Sequence, residues 1–228
     1  MSDGLLFYRF IQWVPRTIWR SLGRLEVHGL DNIPAAGAFL LFANHQSVLD
    51  PIMIQAVCPR PIHAMAKSTQ FTAPGLGWLM RRLKAFPVRR YQIDPHAVRI
   101  ALRRLDAGEA VGIYVEGERS WDARLQEPRR GTIRLALHAG VPIVPCTITG
   151  SYAVWPRWDR GLRLETIRID FGPPFALPTL RTRIERDAHL PEAARLIMKT
   201  LEDQLRAAGG LVPSAVPDIQ NSTESSTL

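Results

Sequence analysis

Apolar and polar positions divide this chain into alternating strand-like and helix-like stretches. "AFLLFAN", residues 38–44, is an unbroken apolar run, the pattern of a strand buried on both faces, and its end delivers Asn44 and His45. "IHAMAK" reads as a strand ending at Lys67, "AVGIYV" as one ending just before Glu116, and "VPIVPCTIT" as a third apolar strand over 141–149. "RLEVHGL" followed by "DNIP" predicts a short strand and a turn. Between these runs the period changes. From Asp94 to Gly108 an Asp-Pro start, an apolar face of Val98, Ala101, Leu102 and Leu105, and a closing glycine predict a helix. "GTIRLALHAG", residues 131–140, predicts a shorter one, also closed by glycine. "LRLETIRIDFG" alternates like a half-exposed strand, and Pro191 to Ala208 forms a last amphipathic helix with Ala194, Ile197, Leu201 and Leu205 on one face.

Strands alternating with helices predict an α/β fold: a single-domain αβα sandwich with a mixed, largely parallel sheet. Open sheets of this kind bind ligands beyond the carboxyl ends of their strands. His45, Lys67 and Glu116 all fall there. The domain is expected over residues 24–208; from Gly209 the chain is rich in Gly, Pro, Ser and Thr, and a disordered tail is expected over 209–228.

The first 23 residues are different. "LLFYRFIQWVPRTIWRSL", residues 5–22, holds no acidic residue. At about 100° per residue, Arg9, Gln12, Arg16 and Arg20 share one narrow sector, while Phe7, Phe10, Ile11, Val14, Ile18 and Leu22 lie opposite. Trp13 and Trp19 fall on the borders, where amphipathic rings sit at a membrane interface. The segment reads as a membrane-docking helix, or as a helix pair if Pro15 splits it. An ordinary helix packed on the core is the alternative.

Composition narrows the setting. Cys58 and Cys146 are the only cysteines, too few for a disulfide framework or a zinc site, so no metal is expected and a reducing compartment fits. The net charge is +8 and mostly arginine, spread along the chain, which suggests an anionic partner: nucleic acid or an anionic lipid surface. No recognition helix or aromatic RNA-binding signature supports nucleic acid. No run reaches the roughly 18 apolar residues a spanning helix needs. A peripheral protein on the cytoplasmic face of a membrane is the expectation.

Candidate chemistry begins with "NHQSVLD", residues 44–50. Positions i and i+5 lie about 140° apart on a helix, so His45 meets Asp50 only if the histidine precedes the helix that Asp50 and Pro51 open. A histidine so placed, held by a carboxylate, has the parts of a general base in one tautomer. The alternative is a structural histidine and a plain N-cap. No G-x-S-x-G elbow is present, so such a base would activate a substrate hydroxyl directly. "YVEGERS", residues 114–120, ends a strand with Glu116, Gly117 and Arg119, a loop able to bind phosphate through arginine and backbone N–H groups. In "FPVRR", residues 86–90, paired arginines could clamp another anion.

In this order, "NHQSVLD", "FPVRR", "EGERS" and "VPIVP" (141–145) resemble the four blocks of the glycerolipid acyltransferases, most closely the bacterial 1-acylglycerol-3-phosphate acyltransferases, over roughly residues 24–175. The resemblance implies that His45 takes the proton of an acceptor hydroxyl while Asp50 orients its ring. Arg90, Glu116, Gly117 and Arg119 would hold a glycerol phosphate, Lys67 would be the basic residue between the first two blocks, and the fourth block would shape the acyl or thioester site. The implied reaction moves a fatty acyl group to the sn-2 hydroxyl of lysophosphatidic acid. It needs no bound cofactor; the donor is a thioester of coenzyme A or acyl carrier protein. Implied partners are an anionic phospholipid surface, a lysophospholipid acceptor and, for one donor type, acyl carrier protein, with no nucleic acid. The chain departs from the pattern at Lys84, often glycine, at Arg89, often acidic or polar, at Val115, often proline, and at Glu118, often threonine. Another lysolipid or lipid-like alcohol as acceptor, or lipid binding without catalysis on the same fold, are the alternatives.

Overall fold

The computed structural model describes residues 2–212, apart from 91, 93 and 160. The region most of the expected tail occupies, residues 213–228, lies outside the described residues. Residues 209–212 still belong to the fold: Val212 packs against the core, and its carbonyl accepts a hydrogen bond from Arg124.

The elements in chain order are α1 (Ser2–Ser21), β1 (Leu25–His28), β2 (Phe39–Ala43), α2 (Asp50–Val57), β3 (Ile62–Lys67), α3 (Pro74–Arg82), β4 (Phe86–Val88), α4 (Pro95–Asp106), β5 (Ala110–Tyr114), α5 (Arg130–Ala139), β6 (Ile143–Thr149), α6 (Ser151–Val154), β7 (Ile167–Phe171) and α7 (Arg183–Ala207). The strands form one seven-stranded sheet in the order β1-β7-β6-β2-β5-β3-β4. β4, β3, β5, β2 and β6 run parallel, and β7 joins antiparallel to β6 with β1 parallel to β7. The sheet is therefore mixed and largely parallel, as the strand and helix periods predict.

β2 lies at its centre and explains why "FLLFA" has no polar position. Leu40 and Phe42 point into a core made with α4, α5 and α7; Phe39, Leu41 and Ala43 point into a second core with α1 and α2. Alternation across the pleat serves two apolar layers at once. Helices cover both faces, which gives the αβα sandwich.

Several boundaries differ from the sequence reading. α1 is one helix, not a pair: Pro15 removes only one backbone hydrogen bond, and residues on both sides of it hold the same face to the protein. That face is Tyr8, Gln12 and Trp19, with Gln12 donating to the Gln55 carbonyl of α2. Trp19 is thus a core residue rather than a border ring, and Gln12 does not belong with the arginines.

α7 starts eight positions before Pro191, because Thr182 and Glu185 form a capping box in which each side chain meets the other's backbone N–H. The T-x-x-E spacing of "TRIE" is the signal for it. α3 and the short strand β4 have no predicted counterpart, and β7 is confined to Ile167–Phe171.

Lys84, at a position often glycine in the resembled blocks, has φ 58°, the left-handed conformation that favours glycine. Its ammonium lies 6.0 Å from the centre of the Tyr8 ring, tying the turn before β4 to α1.

Thr182→Ala removes the side-chain acceptor for the Glu185 N–H. Urea unfolding of this variant is expected to show a loss of about 1 kcal/mol with unchanged slope.

Candidate active site

The neighbouring strands β2, β5, β3 and β4 all point the same way, so the residues after their carboxyl ends gather on one edge: His45, Glu116, Lys67 and Arg90. This is the edge where an open parallel sheet can bind a ligand.

His45 is buried in the turn between β2 and α2. Its Nδ1 lies 2.8 Å from Asp50 Oδ2. A carboxylate only accepts, so Nδ1 carries the hydrogen and Nε2 keeps its lone pair. Asp50 is fully buried at the first position of α2, not its N-cap: the same Oδ2 accepts the backbone N–H groups of Gln46 (2.6 Å) and Ser47 (2.7 Å). The carboxylate reaches back and closes the turn that carries His45, instead of capping the helix ahead of it.

The "EGERS" loop grips the same histidine by its backbone. Glu116 Oε1 accepts the His45 N–H at 2.7 Å, and the Ser120 N–H donates to the His45 carbonyl at 2.7 Å. Glu116 Oε2 accepts the Gln126 N–H at 3.2 Å. Both oxygens of Glu116 are therefore committed to backbone, and its place is behind His45. Gly117 has φ 72°, and a Cβ there would lie 2.7 Å from Arg129 Cγ, so this turn excludes a side chain twice over.

One contact had no sequence signal beyond an aromatic residue at a strand end. The Tyr114 ring stacks on the imidazole, with centroids 3.9 Å apart and planes 16° from parallel. Asn44 is another: its side chain bonds both the carbonyl and the N–H of Ile148, at 2.9 and 2.8 Å, and fixes the end of β2 to β6.

The arginines set the potential. Burial lowers the His45 pKa below its ordinary 6.5, the bond and charge of Asp50 oppose that, and the Arg90 and Arg119 charges add to the lowering. The imidazole is therefore neutral near pH 7 and able to accept a proton. Arg119 is itself lowered, by burial first and the Arg157 charge second. Its guanidinium makes no hydrogen bond among the described residues, so an incoming anion would relieve an existing repulsion. Arg90 follows Arg89, whose N–H donates to Asp94 Oδ2 at 2.8 Å, while Asp94 Oδ1 caps α4.

Two of the unusual residues are internally neutralised. Glu118 pairs with Arg129 at 2.8 Å and Arg157 at 3.0 Å, and Arg89 pairs with Asp94 at 3.5 Å. Lys67 is exposed at the end of β3, apart from these contacts. Beneath α2 a small apolar cleft of about 20 Å³ is lined by Leu41, Ala43, Ile54, Ile62, Ala64, Gly112 and Tyr114. No cluster of potential metal ligands occurs among the described residues.

A neutral, carboxylate-held imidazole beside two cationic side chains and an apolar pocket defines a site that can take a proton from a hydroxyl near an anionic group. Known proteins agree with that class. A model of the acyltransferase family matches residues 24–149, and this chain belongs to that family. It is 29% identical over 206 residues to the 1-acyl-sn-glycerol-3-phosphate acyltransferase of Bacillus subtilis, covering 87% of this chain and 98% of that protein. It is 28% identical over 166 residues to the chloroplastic 1-acyl-sn-glycerol-3-phosphate acyltransferase BAT2 of Brassica napus, covering 68% of this chain and 46% of that longer one. The crystal structure of the 1-acyl-sn-glycerophosphate acyltransferase of Thermotoga maritima superposes with a TM-score of 0.68 at 22% identity, over 89% of this chain and 84% of that one, and shares the fold.

Burial raises the Glu116 pKa from 4.5 to about 8, against the pull of the His45 and Gln126 N–H groups. A raised group contributes its full stability below about pH 4.5 and loses it as pH climbs through about 8. Wild-type unfolding free energy is expected to fall on the order of 3 kcal/mol more between pH 5 and 8.5 than that of Glu116→Gln, whose side chain cannot ionise. Urea titrations at the two pH values read the difference.

Proposed function

We propose that this acyltransferase moves a fatty acyl group from a thioester to the sn-2 hydroxyl of lysophosphatidic acid, making phosphatidic acid for phospholipid biosynthesis. The observation that carries the reading is the neutral His45, held by Asp50, within reach of the Arg90 and Arg119 charges. The names of the Bacillus and Brassica relatives support the choice of acceptor.

In this mechanism His45 Nε2 takes the acceptor's hydroxyl proton as the oxygen attacks the thioester carbonyl carbon. The Asp50 carboxylate stabilises the imidazolium. The tetrahedral intermediate then collapses, the carbon–sulfur bond breaks, and the leaving thiolate recovers the proton from Nε2. No covalent acyl-enzyme forms and no cofactor is consumed. Arg119 and Arg90 bind the acceptor's phosphate, Gly117 lets the loop backbone approach it, and Lys67 adds charge at the rim. Glu116 acts from behind, by fixing the His45 backbone. The apolar lining of the cleft next to Tyr114 suits the first carbons of an acyl chain, for which the cleft would have to widen. Coenzyme A or acyl carrier protein delivers that chain.

The acceptor lives in a bilayer, and α1 is the proposed dock. With Tyr8 and Trp19 turned to the core, its outer side exposes Phe10, Trp13 and Ile18, flanked by Arg9, Arg16 and Arg20. α3 packs beside it and exposes Leu76 and Trp78. No helix among the described residues is long and apolar enough to cross a membrane. In this reading α1 lies in the interface of an anionic cytoplasmic leaflet.

His45→Ala is expected to lower acceptor-dependent thiol release from a long-chain thioester by at least about a hundredfold. Arg119→Ala is expected to raise KM for lysophosphatidic acid but not for an acceptor lacking phosphate. It also moves the acidic limb of the pH profile upward, since a charge that lowers the His45 pKa is gone. Equal loss on both acceptors would reject the phosphate role.

Phe10→Ser with Trp13→Ser is expected to weaken sedimentation with phosphatidylglycerol vesicles about tenfold or more while leaving thermal unfolding within a few degrees. Undiminished binding would remove α1 from the dock.

A further inference from the structure

A second cluster of exposed apolar groups lies outside both α1 and the catalytic residues. Trp121 and Trp158 are each 54% exposed and stack on one another, with centroids 5.7 Å apart and planes 11° from parallel. Tyr152 meets Trp158 edge-on, and its hydroxyl donates to the Trp121 carbonyl at 2.9 Å. The Arg157 guanidinium sits 3.8 Å from the centre of the Trp121 ring. Leu162 and Leu164 are exposed on the same connection between α6 and β7.

We infer that Trp121, Trp158, Leu162 and Leu164 form a second membrane-contacting surface, which seats an anionic bilayer beside the acceptor site. The inference rests on the membrane-docking reading of α1.

Three observations select a bilayer as the occupant. The first is continuity with the proposed dock. Arg24, three residues past the end of α1, donates to the Leu164 carbonyl and approaches Glu165 at 3.7 Å, so Leu164 lies beside the carboxyl end of that helix. The second is the kind of side chain. Tryptophans with a cation against the ring suit the headgroup boundary, where one part of the residue is apolar and another wet. The third is how the charge is used. Arg157 pairs with Glu118 at 3.0 Å and Arg163 with Asp159 at 2.5 Å. Both arginines have an acidic partner, Glu118 being shared with Arg129, so what the patch presents outward is chiefly rings and leucines, which a bilayer covers and an acidic protein such as an acyl carrier does not.

The position matters for the reaction. Trp121 is two residues from Arg119, and Arg157 joins the loop by bonding both Glu118 and the Arg119 carbonyl at 3.2 Å. A surface resting on Trp121 and Trp158 would bring lipid headgroups to the arginine that we assign to the acceptor phosphate.

The test uses the full chain in four forms: wild type, Trp121→Ser with Trp158→Ser, Leu162→Ser with Leu164→Ser, and Phe10→Ser with Trp13→Ser. Each is sedimented with vesicles of phosphatidylglycerol and phosphatidylcholine, and each is assayed on a vesicle-borne acceptor and on a short-chain acceptor dispersed below its micellar concentration. The loop variant is expected to lose about tenfold in vesicle binding and in vesicle-borne turnover, with monodisperse turnover kept within about twofold. Leu162→Ser with Leu164→Ser is expected to act in the same direction, so the result does not depend on one pair of rings. Brominated lipid is expected to quench wild-type tryptophan fluorescence more than that of the loop variant.

Vesicle binding unchanged in both loop variants would overturn the inference, as would a loss of monodisperse turnover equal to the vesicle loss. Loss of affinity for acyl carrier protein alone would overturn it in favour of a donor-docking face. Failure of the α1 reading appears separately, as undiminished binding in the α1 variant.

Discussion

One backbone contact organises this site: the His45 N–H, at the end of the central strand, donates to the Glu116 carboxylate at the end of the next strand. β2 and β5 are paired up to Ala43 opposite Tyr114, so the two chains leave the sheet side by side. The Val115 N–H still donates to the Ala43 carbonyl at 3.0 Å, and there the ladder ends. Glu116 supplies the missing cross-link, Ser120 adds a second through the His45 carbonyl, and Tyr114 covers the ring. The histidine is thus clamped by its main chain before its side chain makes any contact. A hydrogen bond between neutral groups contributes about 0.5–1.5 kcal/mol net, and a buried N–H left unpaired costs about 1–3 kcal/mol, so together these contacts keep the turn in one conformation.

The clamp explains how a buried imidazole can serve as a base. Burial alone would favour the neutral ring in any orientation. Asp50 removes that freedom by accepting from Nδ1, and it is held in turn by the N–H groups of Gln46 and Ser47. Arg90 and Arg119 then keep the ring from protonating prematurely. The same two charges would be partly cancelled by a bound phosphate, which would raise the proton affinity of His45 when an anionic acceptor is in place. Acceptor binding and base strength are coupled through three side chains.

The sequence revealed the sheet because β2, β3, β5 and β6 are largely buried on both faces and are therefore mostly apolar. It revealed the order of the chemistry because each candidate residue follows a strand end. It revealed the pair of Asp50 with His45 but not the backbone duty of either carboxylate: Asp50 also accepts two N–H groups of its own turn, and Glu116 accepts N–H groups alone, partners that leave no trace in residue identity. Asn44 and Tyr114 were hidden for a related reason: one bonds the main chain of a strand about a hundred residues away, and the other acts through ring geometry. The helical wheel of α1 failed more instructively. It separated arginines from apolar residues, yet a helix has two neighbours here, and Gln12 with Trp19 faces the protein while Phe10, Trp13 and Ile18 remain outside.

The buried face of α1 bears on how the proposed dock would join the site to a surface. A helix that only floated in a bilayer could hold the domain nearby without fixing its angle. α1 instead buries Tyr8 and Trp19 in the fold, Lys84 lies over Tyr8 from the turn before β4, and Arg24 ties its end to the loop leading into β7. Orientation of the helix therefore transmits to both sides of the catalytic edge: to β4, which leads to Arg90, and to the segment that holds Arg157 against Glu118 and the Arg119 carbonyl. The departures from the family pattern at Lys84 and Glu118 sit in those two links. Their contacts lie inside the fold, fastening the arginines' loops, and the Arg90 and Arg119 charges add to the burial that keeps His45 neutral.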